Sequence, residues 1–263
     1  MTKGRVKRLG FESMDLPYGV VAGLKGLLGD TRLVPLKNLA ETLRSVKDRA
    51  EVACIRKAVD SAKKAFEMAA SKIRPGISEN RIRNSIEVEL IESGSACAFD
   101  PIVASGTNSS KPHARVTRRI IAKNDFVMID MGARIDGYNS DLTRTIILGN
   151  VSDRFKHIYK TVGEAQKAAI DRIKAGAKAS DIDGAGRGYI SRKGFGKYFG
   201  HSLGHGIGLG VHEEPSISPS STTRLEAGMV FTVEPEIYIP GFGGVRIEDM
   251  VLVTKSGCEI MTR

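Results

Sequence analysis

Residues Phe126 to Ile146 read FVMIDMGARIDGYNSDLTRTI, and this stretch decides the fold. Asp136-Gly137 is a two-residue hairpin signal, because the favoured turn needs a left-handed backbone that these residue types adopt readily. Asp130 and Asp141 lie almost symmetrically about that turn. They therefore fall opposite or diagonal on adjacent strands, roughly 4.5–8 Å apart. The apolar run before Asp130 starts this aspartate from a sheet interior.

A second stretch has the same design. Val230 to Asp249 reads VFTVEPEIYIPGFGGVRIED, with Glu234 and Glu248 equidistant from Gly241 in a Pro/Gly-rich turn. A single carboxylate in a strand ordinarily faces solvent. Two hairpins that each present a facing pair are a different matter, since four buried carboxylates repel one another and resist ionisation. Two divalent metal ions resolve the conflict, and an oxygen-rich set with one imidazole suits Mn, Co, Fe or Zn. The imidazole comes from GHSLGHGIGLGVHE, residues 200–213, which carries His201, His205 and His212. Its glycines match neither a P-loop nor a dinucleotide fingerprint. They fit a backbone that must approach a ligand closely.

Each hairpin follows a pair of helices. Asp48 with Glu51 three residues on caps a helix whose apolar positions run from Val52 to Ile73, and Ser78 caps a second that ends at Gly94. The plan recurs about 100 residues later, from Phe155 to Ile173 and from Ser180 to about Lys193. Two related αα-ββ halves follow, with strands packed into one sheet, helices outside and a site between the halves. Residues 1–46 hold only a strand-like segment, a weak helix near Tyr18–Leu28 and the segment Arg32–Leu36.

These motifs resemble the pita-bread metallopeptidases, a family of methionine aminopeptidases, aminopeptidase P, prolidases and creatinases. The spacing Asp130, Asp141, His205, Glu234, Glu248 is similar to the family's five metal ligands. The resemblance implies an α+β pita-bread fold, with two pseudo-symmetric halves and a curved antiparallel sheet, over residues 47–263. It implies that Asp130 binds one metal, His205 and Glu234 the other, and that Asp141 and Glu248 bridge both. Residues 112–114 (Pro-His-Ala), the SDLTRT run from Ser140, the histidine set and the GGVRIED run ending at Asp249 are similar to the Xaa-Pro dipeptidase (prolidase) and aminopeptidase P branch. From this branch the resemblance carries over catalytic roles for His113, His212 and Glu234. It also carries over substrate contacts for His113, His201, His212, Tyr238 and Arg246. The implied activity is hydrolysis of the N-terminal peptide bond of short peptides, Xaa-Pro dipeptides above all, by a hydroxide shared between two cations. The alternatives are a broader aminopeptidase of the aminopeptidase P or methionine type, or a metal-free binding module. Glu236 departs from the family pattern, which usually has Gly after Glu-Pro, and adds negative charge near the pocket. Residues 1–46 are expected to be the remnant of an N-terminal domain and linker. That domain helps form the dimer and walls the active site in prolidase-like relatives, so a more open pocket is expected here.

Composition fits this reading. The 263 residues are 41% hydrophobic, and the net charge of +10 is spread along the chain without a dense basic run, so no specific nucleic-acid partner is expected. The three cysteines are far apart and read as reduced thiols rather than a disulfide framework. No apolar stretch approaches the roughly 20 residues of a membrane span, and no signal-type run follows Met1. A cytoplasmic enzyme, monomer or homodimer, without a membrane partner is expected.

Overall fold

In the computed structural model, residues 6–263 are described, and the chain divides into two compact units at Arg44/Ser45. In the smaller unit, strands β1 (Arg8–Glu12) and β2 (Arg32–Leu36) pair in parallel, and helix α1 (Tyr18–Leu27) connects them. None of the α1 side chains is buried. A short helix α2 (Leu39–Ser45) leads out of this unit.

The larger unit opens with α3 (Arg49–Ser71). Its first turn is closed by a capping box: the Asp48 carboxylate accepts from the Ala50 and Glu51 amides, and Glu51 accepts from the Asp48 amide. Helix α4 (Glu79–Glu92) is capped by Ser78. The strands that follow are β3 (Ala96–Cys97), β4 (Ile102–Ser105), β5 (Phe126–Met131), β6 (Ala133–Ile135), β7 (Tyr138–Asn139) and β8 (Leu142–Ile147). Helices α5 (Asp153–Ile170) and α6 (Ala179–Arg192) repeat the helix pair. Here α6 starts one residue before Ser180 and has no side-chain cap. Strands β9 (Gly204–Gly206), β10 (Glu213–Ile217), β11 (Val230–Val233), β12 (Glu236–Ile239), β13 (Gly243–Arg246), β14 (Asp249–Val253) and β15 (Cys258–Ile260) complete the chain.

The two halves are built alike at the level of single hydrogen bonds. The Gly76 amide donates to the Ile121 carbonyl at 2.9 Å, and the Gly176 amide donates to the Leu225 carbonyl at 2.8 Å. Ile121 donates back to Ile77 and Leu225 to Ala177, each at 2.8 Å. The core follows the same plan. Val127, Ile129 and Met131 of β5 pack with Ile82, Ile86 and Leu90 of α4, while Phe231 and Val233 of β11 pack with Phe155, Ile158 and Val162 of α5. Successive strand residues face opposite ways, so the alternate positions Met128 and Asp130, and Thr232 and Glu234, turn away from the helices.

The expected α+β arrangement of antiparallel strands with helices outside is present, and its strands divide into several ladders. In the larger unit the strands form ladders β4-β5-β8, β3-β6-β7, β10-β9-β11-β14-β15 and β12-β13. The first hairpin changes ladder at Gly132, and the second at Glu234-Pro235 and Ile247-Glu248. Pro235 has no amide to donate, so a ladder cannot run through it unbroken. The second hairpin thus bends at its two glutamates. No described helix is long and apolar enough to cross a membrane.

Candidate metal centre

The register shows how each hairpin presents its acids. Across β5 and β8, Asp130 pairs with Thr143 and Met131 with Leu142, so Asp141 lies diagonal to Asp130 on the same face. In the second hairpin Val233 pairs with Asp249 and Glu236 with Arg246, which puts Glu234 opposite Glu248. Strand β9 joins β11 and brings His205 to the same place: its amide donates to Thr232 Oγ1 at 3.1 Å. Gly204 permits this approach, because a Cβ there would lie 1.8 Å from the Thr232 carbonyl oxygen.

The side chains converge in a cavity of about 610 Å³. Asp130, Asp141, His205, Glu234, Glu248, His113, His201, His212 and Arg246 all line it. One ligating atom from each of Asp141, His205 and Glu248 lies within 4.8 Å of the other two. His205 Nε2 is 3.4 Å from Glu234 Oε1 and 3.8 Å from Asp141 Oδ2. Its Nδ1–H donates to the Gly206 carbonyl at 3.0 Å, which leaves Nε2 free to ligate. The His212 ring lies 4.3 Å from that of His205, centroid to centroid.

Arg246 is the cation nearest the acids. Its guanidinium forms a very short ion pair with Asp130 and also donates to Tyr238 Oη, to Thr143 Oγ1 at 3.1 Å and to the Pro112 carbonyl at 3.2 Å. Tyr238, expected to contact substrate, is buried and does not line the cavity. Its hydroxyl is taken up by Arg246, so it supports that side chain from beneath. Two threonines that sequence reasoning passed over brace the acids. Thr143 donates to Glu248 Oε2 at 2.6 Å, and Thr232 to Glu234 Oε1 at 3.1 Å. The available signal was strand period: each threonine sits two residues from an acid, on the same face.

One guanidinium does not balance four acids. Burial, then Glu248, Asp130 and Glu234, push the Asp141 carboxyl well above the usual carboxylate range. Burial followed by Glu234 and Asp130 does the same to Glu248, and burial raises Glu234. Asp141 Oδ1 and Glu248 Oε1 are buried without a hydrogen-bond donor among the described residues. Burial also holds His205 and His212 below the usual imidazole range, in the neutral form that ligates metal or accepts a proton. Acids that lack donors, beside a neutral imidazole, fit divalent cations.

The sequence model of metallopeptidase family M24 matches residues 53–255. The Xaa-Pro dipeptidase of Pyrococcus horikoshii is 42% identical over 259 residues, which cover 98% of this chain and 74% of that protein. Among solved structures, an Xaa-Pro dipeptidase from Bacillus anthracis is similar with a TM-score of 0.94 at 45% identity, over 98% of this chain and 72% of the other. The X-Pro aminopeptidase from Thermotoga maritima MSB8 gives a TM-score of 0.91 at 37% identity, over 98% and 73%.

Proposed function

The chain belongs to metallopeptidase family M24, and we propose that it hydrolyses the N-terminal bond of short peptides, Xaa-Pro dipeptides first, with two divalent cations. The observation that carries this reading is the meeting of acids from both hairpins with His205, including two buried oxygens without donors. Asp130 would hold one cation, His205 and Glu234 the other, and Asp141 and Glu248 both. When bound, the pair supplies Lewis-acid polarisation of the scissile carbonyl and a water acidic enough to serve as nucleophile near neutral pH.

The remaining work falls to the chain itself. Glu234, at the cavity wall, takes the proton released by attack and returns it to the leaving amine. Neutral His212 at the cavity wall and His113 at its exposed rim hydrogen-bond the carbonyl oxygen as charge develops on it. Arg246 fixes Asp130, and the two threonines fix the glutamates, so the acids do not reorganise during turnover. A cavity of about 610 Å³ admits a peptide of a few residues.

The test is a peptide panel with protein loaded with Mn or Co. Dipeptides with proline second should be cleaved faster than Met-Ala types. A preference for longer Met-starting peptides would overturn the Xaa-Pro reading. The likeness to the Thermotoga enzyme favours a second reading, an aminopeptidase acting on longer Xaa-Pro peptides. The ratio of tripeptide to dipeptide turnover separates the two.

A further inference from the structure

Helix α4 opens on a buried carboxylate that the mechanism above does not use. Glu79 is 0% exposed, and neutral donors from three residues meet its two oxygens. The Ser105 amide and hydroxyl donate to Oε1 at 2.6 and 2.7 Å. Asn108 Nδ2, the Thr117 amide and the Thr117 hydroxyl donate to Oε2 at 3.1, 3.0 and 2.6 Å. Hydrogen bonds of this kind are what let a carboxylate stay buried. Ser105 ends β4, and residues 106–116 form the segment that carries His113 to the cavity rim. One carboxylate therefore holds both ends of that segment. Asn108 Nδ2 also donates to the Arg115 carbonyl at 3.2 Å, so the same oxygen reaches across to the far side of it. The middle of the segment is fixed to β13 instead. Ser109 Oγ accepts from the Gly244 amide at 2.8 Å, and the Pro112 carbonyl accepts from Arg246 at 3.2 Å. His113 follows Pro112 and is exposed, so the backbone on either side sets where its ring can reach.

We propose that Glu79 is a positioning residue for the peptidase reaction: it fixes the backbone from which His113 reaches the scissile carbonyl. A carboxylate suits this task because both of its oxygens accept. Glutamine would turn an NH₂ group toward the Ser105 amide or the Thr117 amide and release that end of the segment. Glu79 does not line the cavity and acts through His113, which does. The inference rests on the peptidase reading, in which His113 meets the charge that develops on the carbonyl oxygen.

The experiment is a double-mutant cycle on Ala-Pro with Mn- or Co-loaded protein: wild type, Glu79→Gln, His113→Ala and the double variant. Glu79→Gln should lower kcat by about 100-fold, the scale set by a misplaced group at the reacting atoms. KM and metal content should stay near wild type. In the His113→Ala background the same change should cost less than about 3-fold, because the group it positions is gone. An equal loss in both backgrounds, or a wild-type kcat in Glu79→Gln, overturns the proposal. Should Glu79→Gln not fold, Asn108→Ala takes its place in the cycle, since it removes one donor and the tie to Arg115. It should lower kcat about 10-fold, and only while His113 is present; an equal loss without His113 overturns the proposal. A second readout needs no turnover: amide hydrogen exchange of the same proteins. Wild type should protect the Ser105 and Thr117 amides. Glu79→Gln should speed exchange of at least one of them about tenfold, while the α4 amides keep their rates. Unprotected amides in wild type, or a uniform rise across the molecule in the variant, overturn the proposal. If wild type cleaves no Xaa-Pro peptide, the functional reading fails, and the exchange rates still decide whether Glu79 holds the segment.

Discussion

The two halves of the larger unit share a backbone plan and spend it differently. Strand β5 with its helices matches β11 with its helices, down to the Gly76–Ile121 and Gly176–Leu225 hydrogen bonds. The first half places two short aspartates diagonally, whereas the second places two longer glutamates face to face. Strand β4 sets Ala104 against Met128 of β5, at the place where β9 sets His205 beside Thr232 of β11. The repeat thus supplies a symmetric frame, and side-chain choice makes the centre asymmetric. One half contributes only acids to the cavity's acidic cluster; the other adds an imidazole, His205.

The largest effects should come from Asp141 and Glu248, the acids that join the halves. Asp141→Ala or Glu248→Ala should cut kcat/KM by about 1000-fold, the equivalent of several kcal/mol of lost transition-state stabilisation. Full activity in either variant would break the idea that the halves share one centre. Stability of the metal-free protein should move the other way. The Asp141 and Glu248 pKa values are raised on folding, so the native state holds more protons than the unfolded chain. Its stability should fall as pH rises above about 4, where the unfolded carboxyls ionise. Asp141→Asn should flatten that fall and raise the Tm of chelated protein, as followed by thermal melts at several pH values.

Next come the histidines outside the ligand set. His212→Ala or His113→Ala should lower kcat by roughly 10²–10⁴-fold, the usual contribution of a positioned acid–base group. Metal content should stay at the wild-type level. Loss of metal in either variant would move that histidine into the coordination shell and sharpen the asymmetry between the halves.

A smaller pair of effects compares the bracing threonines. Thr143→Val removes a donor to Glu248 and an acceptor for Arg246, whereas Thr232→Val removes a donor to Glu234 and an acceptor for the His205 amide. Each should weaken metal affinity by about 10–100-fold, measured by competition with a chelating dye. Equal losses would mean that the two sides hold their cations alike.

The smallest effects belong to the turns. Gly137 and Gly241 both have left-handed φ, 86° and 74°, and space for a methyl group. Replacing either with Ala should cost about 1 kcal/mol of backbone strain and lower Tm by roughly 2–4 °C. A much larger loss at one of them would show that the hairpins differ in more than their side chains.

Much of this comparison is legible in the sequence, because it rests on local rules. Asp136-Gly137, the Asp48–Glu51 capping box, Ser78 and the helical spacing of Phe155 to Ile173 each act within a few residues, and the elements form where those signals stand. The acids could be grouped because symmetry about a turn fixes which strand residues meet. What sequence alone hid depends on partners far along the chain. Tyr238 looks like a cavity residue until Arg246 covers its hydroxyl, and His201 looks free until Glu236 takes its Nε2. Thr143 matters through Glu248, about 100 residues away. The broken ladders escape a hairpin reading because they reflect how each strand bends at its acids.

The claim that both hairpins and His205 form one dinuclear centre is tested most directly by titrating metal-free protein with Co²⁺ while following visible absorption and peptidase activity together. Saturation at two equivalents per chain is expected, with full activity reached only as the second is taken up, and with neither response in Asp141→Ala. Saturation at one equivalent with full activity, or activity without any metal, would contradict it.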